Sequence, residues 1–383
     1  MANSSGSFHL AVENDAITVN HIPTDGKVYY QQNLRIWFHR TIRVPDNLGT
    51  SQLPPGLGNF PLFLVNNYAN TLPPDMVSRG GIFFPMHQKE ALWIRMSATA
   101  PFMIKIYAGG VNVVSGEHED EDDMTRQRRA ARIARGESIQ DYVVAPDQYW
   151  IDGFAVAPGI VRQFVAMPMG SGYSLEAQIT TETVGGLQLE ITPARPETGP
   201  WWIDQRQPSG QVAPMGIAPG GRVEQCILHD RYDPAIWSRD TTLAVAVQVL
   251  NSAAFHAVTG LRPPPSPVDA RAYAYAGLPF FQLDESAWTA KAASGVFQKH
   301  KSVNAMDQKK GVAQDFEPDV PQKTVQLVRT DRRIDVDMAR VRDPYGLISR
   351  AGPTRKCRTL DELKQEVEQD RTMSASVPPG THA

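Results

Sequence analysis

Between residues 141 and 193 short apolar runs alternate with breaks that contain glycine or proline. The runs are DYVVAP, WIDGFAVAPGIVRQFVAMP, YSLEAQIT and LQLEITP, with MGSG and a Gly-Gly loop among the breaks. Breaks at that spacing mark the strands of a β-sandwich or barrel. Residues 160–167 are apolar on both faces apart from Arg162 and Gln163. They predict a central strand covered on both sides, with the two polar side chains bonded to neighbouring backbone. The last two runs alternate instead. Tyr173, Leu175, Ala177 and Ile179 interleave with Ser174, Glu176, Gln178 and Thr180; Leu187, Leu189 and Ile191 interleave with Gln188, Glu190 and Thr192. Period two predicts strands with one face on the core and the other on water or a ligand. Paired as a hairpin around residues 181–186, they set either Glu176 or Gln178 opposite Glu190. Facing like charges are unfavourable, which favours the second register unless a cation or an arginine lies between.

The remaining chain carries the same signature. Residues 8–22 predict a hairpin turning at Glu13-Asn14-Asp15. Leu34, Ile36, Phe38, Ile42 and Val44 mark one face of a long strand, and Arg35, Trp37, His39 and Arg43 the other. Arg40 intrudes on the apolar face, a sign of an edge or a bulge. LPPGLGNFP, residues 53–61, predicts an irregular ordered loop, and residues 92–96 and 102–114 two strands. TLAVAVQVL predicts another strand, followed by a short helix ending at Gly260 and a helical stretch at 270–278. Residues 325–329 and 334–338 predict a last hairpin. Thr359-Leu360-Asp361-Glu362 is a capping-box pattern, and Leu360, Leu363 and Val367 form the stripe of a short docking helix.

The expected fold is therefore mainly β. A β-sandwich (jelly-roll-like) core occupies residues 1–200, and a smaller mixed segment, 201–317, packs on it after a linker or capping loop at Trp201-Trp202 and 208–221. A C-terminal hairpin and helix follow at 318–372, then a disordered tail at 373–383. Charge changes this picture at one place. Residues 117–136 run from acid (Glu117, Glu119, Asp120, Glu121, Asp122, Asp123) to base (Arg126, Arg128, Arg129, Arg132, Arg135) and stop at Gly136. Acid first and base last complements a helix dipole, so a solvated helical insertion is expected. An RNA-binding arginine helix is the sharper alternative, weakened by the adjoining acids.

A net charge of −3 gives no field suited to nucleic acid or an anionic membrane. Two cysteines, Cys226 and Cys357, exclude a disulfide framework and a Cys-rich zinc site. No signal-peptide pattern opens the sequence, and its most apolar later run, 243–258, is too short for a membrane span. A cytoplasmic protein without a cofactor or metal is expected. His87 and Glu90 have a ligand-like gap but no third partner, and His229, Asp230 and Asp233 read as a polar turn before Pro234. Phosphate-loop, H-E-x-x-H, G-x-S-x-G and C-x-x-C motifs are missing.

Several stretches resemble an uncharacterised family of β-rich proteins from fungi and actinobacteria. They are Pro54-Pro55-Gly56-Leu57-Gly58 with FPLF, GGIFFPMHQKEALWI, QDYVVAPDQYWIDG, RQFVAMPMGSGYSLEAQIT, GGLQLEI, NSAAFHAVTG, GLPFF and Lys301-Ser302-Val303. The resemblance covers residues 53–303 and implies a shared β core; it brings no catalytic residues.

Three functions follow as expectations. The first is a non-enzymatic structural or binding protein that meets a second copy or another protein through its C-terminal segment, which would cover an edge strand. The second is a carbohydrate- or cation-binding module using Tyr173, Glu176, Gln178, Gln188 and Glu190. The third is a hydrolase with Glu176 and Glu190 as a carboxylate pair.

Overall fold

Asn14 and Asp15, at φ 48° and 62°, turn the first hairpin, a left-handed conformation that these residue types tolerate. A computed structural model describes residues 7–22, 32–47, 49–179, 184–194, 214–225, 227, 230, 232–252, 254–261, 263–264, 270–275, 279–283, 297, 300–311, 323–327 and 357–375. The hairpin strands are β1 (Ser7–Glu13) and β2 (Ala16–Ile22). β3 (Asn33–Thr41) follows, and β4 (Gly56–Asn59) pairs with it, so the expected irregular loop is in part a strand. The β3–β4 register slips between His39 and Thr41, at the intruding Arg40. Next come β5 (Phe63–Leu64), α1 (Pro74–Arg79), β6 (Ile82–Met86), β7 (Ala91–Ala98), β8 (Phe102–Ala108) and β9 (Val111–Asn112). α2 (Asp123–Ala134) precedes β10 (Val143–Ala145), β11 (Trp150–Ile151), β12 (Gly153–Ala157) and β13 (Ile160–Pro168).

The next element corrects the sequence reading. YSLEAQIT forms a helix, α3 (Leu175–Ile179), so the hairpin of residues 173–192 does not exist and neither Glu190 register applies. The Ser174 hydroxyl accepts from the Ala177 amide at 3.0 Å, and Leu, Glu, Ala and Gln are all good helix formers. Their alternation was too short to exclude a single turn of helix. β14 (Leu187–Pro193) is the expected strand. β15 (Pro214–Glu224) corrects a second reading, because the linker at 208–221 is a strand from Pro214 onward. Its glycines permit close approach: a Cβ on Gly221 would lie 2.6 Å from the Pro45 carbonyl oxygen. β16 (Leu243–Asn251), α4 (Phe255–Thr259) and α5 (Ala270–Tyr275) match expectation. β17 (Pro279–Leu283) and α6 (Val303–Lys310) precede β18 (Lys323–Leu327), which pairs in parallel with β17. No such pairing was foreseen, and residues 334–338 lie outside the described ones. α7 (Leu360–Ala375) is the docking helix, and it extends into the expected tail as far as Ala375.

The molecule is mainly β. Its large sheet has the order β1-β2-β3-β7-β13-β15-β16-β14-β8-β10, with antiparallel neighbours throughout that path. β15 and β16 lie between β13 and β14, so segment 201–317 supplies the middle of the sheet. The inner face joins Leu34, Ile36 and Phe38 of β3, Leu92 and Ile94 of β7, Ile104 and Ile106 of β8, and Leu187 and Leu189 of β14 in one core. Phe8 of β1 meets Phe102 of β8 edge to face at 6.3 Å, although their strands lie near opposite ends of the order. The sheet therefore curls until its apolar face is enclosed. Rings fill the centre: Phe84 stacks on Phe38 at 4.9 Å and on Phe60 at 4.8 Å, each buried ring being worth about 2–3 kcal/mol. β13 is central as expected, with the core inside and Val303 and Met306 of α6 outside. Gln163 bonds the backbone of Ile42 and Val44, and Arg162 that of His300.

Candidate functional site

The five residues expected to share one polar strand face separate into two groups. Tyr173 and Gln178 lie beside α6 and the residues before it. The Tyr173 hydroxyl donates to Asp307 Oδ1 at 2.7 Å, and burial with that carboxylate pushes its pKa up to about 12. Gln178 bonds the backbone of Tyr173 and Lys301. Gln188 and Glu190 stand on the outer face of β14, paired across to Tyr107 and Lys105 of β8. Glu176 is buried on α3, and its carboxylate accepts from the Val184 and Gly185 amides at 2.7 and 2.8 Å. A Cβ on Gly109, at φ 57°, would lie 2.3 Å from Glu176 Oε2, so only glycine fits there. Gln188 accepts from the Gly110 amide at 3.0 Å and donates to the Gly185 carbonyl at 2.9 Å. Tyr173, Glu176, Gln178 and Gln188 thus all bind this chain's own groups.

Glu190 leads to a larger feature. Lys105 interrupts the apolar run FMIKIYA on the outer face of β8, is 4% exposed, and places Nζ 2.7 Å from Asp141 Oδ2. Burial alone would lower its pKa, but the Asp141 carboxylate more than offsets this and holds the ammonium well above its ordinary value. Burial pushes the Tyr107 phenol up, and the carboxylates of Glu190, Asp141 and Glu119 add to this against the pull of Lys105. Burial likewise raises Glu119, which feels both Glu190 and Glu176. This face holds a fixed cation and a protonated phenol, neither of which is a base near neutral pH.

From Asp141 the charges continue outward through both helices. Arg129 Nη2 of α2 lies 3.9 Å from Asp141 Oδ2 and 2.6 Å from Glu121 Oε1. Arg358 Nη2 meets the same Glu121 oxygen at 2.6 Å, and its Nη1 meets Glu366 of α7 at 2.7 Å. Burial opposes ionisation of Glu121, but the hydrogen bonds and charges of Arg129 and Arg358 hold its pKa down at about 2. Apolar contact completes the seam. Leu360, Leu363 and Val367 pack with Met103, Ile139, Tyr142, Val144 and Trp237, the stripe foreseen for a docking helix. The expected capping box is present, with the Thr359 amide on Glu362 and the Glu362 amide on Thr359 Oγ1. Tyr142 donates to Asp230 at 2.7 Å and accepts from the Leu360 amide at 3.0 Å, satisfying a first-turn donor of α7.

The solvated insertion is corrected here. α2 starts at Asp122 with a capping box to Thr125, but Arg129 and Arg132 are buried. Arg132 bonds the Ser115 and Ser138 carbonyls, while Arg128 holds Glu117 at 2.5 Å. Opposite charge in the adjoining loop lets a charged helix bury one face. No family model, curated protein or solved structure matches this chain. Among the described residues no three His, Cys, Asp or Glu side chains are grouped to hold a metal, and no helix is long and apolar enough to cross a membrane. Glu90, weighed with His87, binds Arg40 Nε at 2.6 Å and the His87 amide at 2.7 Å. Asp233 caps the Ala235 amide in the expected turn; His229 lies outside the described residues.

Sequence reasoning missed Lys105, Asp141, Glu121 and Arg358 as one system. The available signal was Lys105 itself, a cation in a run with no other polar residue but Tyr107.

Proposed function

We propose that this chain is a non-enzymatic structural protein whose C-terminal helix makes the same contacts between two copies that it makes within one. The observation that carries this reading is the seam of α7 on α2 and on the β8–β10 end of the sheet. It covers the last strand in the sheet order, as an exposed edge requires. It combines a small apolar stripe with a chain of ion pairs, and α7 carries its own capping box at Thr359 and Glu362, while its Leu360 amide bonds Tyr142 across the seam. Residues 328–356 join it to β18, a stretch that can reach at most about 100 Å when extended. An element so tethered and so capped suits exchange between identical chains. Use of Glu176 by backbone amides removes support from both the hydrolase and the ligand-binding readings of residues 173–190.

Deleting everything after Asp319 tests this. The full chain is expected to show concentration-dependent association in sizing chromatography with light scattering, and the truncated chain a changed oligomeric state or solubility. Leu363→Glu keeps the chain length and should act in the same direction. A full chain that stays monomeric at every concentration, with a truncated chain equally monomeric and folded, would contradict the reading.

A further inference from the structure

The turn between β8 and β9 gathers polar groups that the seam of α7 does not use. Gly109 and Gly110, at φ 57° and 75°, make that turn. Beyond β9 the chain returns beside it. The Asn112 amide donates to the Glu117 carbonyl through the reverse sense of the same hairpin, at 2.9 Å, and the Glu119 amide donates to the Gly110 carbonyl at 2.8 Å. His118 and Glu119 are thereby pinned against the turn. A Cβ on Gly110 would lie 2.8 Å from Glu119 Oε1 and 3.1 Å from His118 Nε2, so glycine leaves free the space where these two groups converge.

Three groups here have capacity to spare. Glu119 is half-buried, and its carboxylate accepts no hydrogen bond from the described residues. Burial raises its pKa; the charge of His118 opposes this, and those of Asp120, Glu190 and Glu176 add to it. His118 has a side chain 26% exposed, and its Nδ1 accepts from the Asp120 amide at 3.1 Å. The neutral ring therefore carries its proton on Nε2, which has no partner among the described residues. Tyr107 of β8 is only 6% exposed, yet its hydroxyl makes no hydrogen bond with a described residue, although Glu190 and Glu119 both act on it. A buried hydroxyl without a partner is costly, and a ligand would supply one.

We infer that this turn binds a primary alkylammonium ion, with Glu119 as its anionic partner and the Tyr107 hydroxyl as a second acceptor. An ammonium has three N–H donors, which match a carboxylate and a hydroxyl oxygen. The nearest cation of this chain, Lys105, is committed to Asp141 at 2.7 Å, so the carboxylates around Glu119 favour an added positive charge. An anion would meet those same carboxylates. A metal ion would need a closer set of ligands, and among the described residues no three His, Cys, Asp or Glu side chains are so grouped. The inference does not rest on assembly through α7, and Glu176 enters only through its charge, since the Val184 and Gly185 amides hold its oxygens.

The test titrates the full chain by calorimetry with putrescine, ethanolamine, butanediol and calcium chloride. At least one of the two amines should saturate, and the neutral diol should not. Glu119→Gln removes a charge but no hydrogen bond within the described chain, and it should weaken the amine about ten-fold or more. Tyr107→Phe keeps the ring and should weaken it about five-fold. At about pH 5 binding should also release protons, because a bound cation returns the raised Glu119 carboxyl to its charged form. The measured heat then varies with the ionisation enthalpy of the buffer. No saturation by either amine, equal affinity for the diol, saturation by calcium alone, or full affinity in Glu119→Gln would overturn the proposal.

Discussion

Two stretches of the same outer sheet surface were finished in opposite ways. On β8 and β14 the outward residues include Lys105, Tyr107, Gln188 and Glu190, and helices, loops and ion pairs of this chain cover them. On β3, β7 and β11 they are aromatic and cationic; Trp37 and His39 are buried, whereas Trp93, Arg95 and Trp150 are half-exposed. Polar character in a strand therefore does not mark a site by itself. A buried charge such as Lys105 is costly unless paired, and pairing it recruited Asp141 and, through Arg129, both helices. An indole carries no charge to pair and can be buried whole or half-exposed, as Trp37 and Trp93 are.

Removing the pairing should break the comparison most severely. Asp141→Ala leaves the Lys105 ammonium buried without its partner and is expected to cost about 3–5 kcal/mol, read as a lowered urea midpoint. Lys105→Met with Asp141→Leu should restore most of that loss, because an apolar pair needs no compensation.

Acid should loosen the seam next. The Glu121 carboxyl sits at about 2 against an ordinary 4.5, so its contribution is complete above pH 4.5 and lost as pH falls towards 2. The shift bounds the effect at about 3 kcal/mol. Global stability starts to fall earlier, below 6.5, because burial holds His21 down at about 3 and protons then favour the unfolded chain. Amide exchange in α7, corrected for its intrinsic pH dependence, separates the two events; protection of α7 unchanged from pH 5 to pH 2.5 would count against the Glu121 contribution. The smallest effect belongs to Arg126, exposed and 3.5 Å from Asp370. Arg126→Ala should change stability by less than about 0.5 kcal/mol.

Much of this fold was legible in the residues. The first hairpin, the long strand with its irregularity at Arg40, the doubly covered β13, the β16 strand and the capped α7 all follow from local pattern and turn chemistry. What escaped was set by distant partners. YSLEAQIT alternates like a strand, yet Glu176 turns inward to cap the amides of Val184 and Gly185, a requirement visible only once Gly109 brings the loop against it. Pro214–Glu224 read as a linker because its glycines look like breaks, whereas they allow the chain to pass close to Val44 and Pro45. The arginines of α2 read as solvated because their acceptors, Glu117, Ser115 and Ser138, lie in the flanking loops. The aromatic residues of β3, β7 and β11 come from strands far apart in sequence, so no single stretch announced their pairing.

Backbone amide exchange across α7, measured on the wild type and on Arg358→Glu at neutral pH, tests the central claim that this helix closes the charged face. Arg358 joins Glu121 to Glu366, so reversing its charge sets like charges together at the heart of the seam. The account predicts strong protection of α7 in the wild type and exchange faster by about a hundred-fold in the variant, with the core strands β7 and β13 unchanged. Coil-like exchange of α7 in the wild type would contradict it.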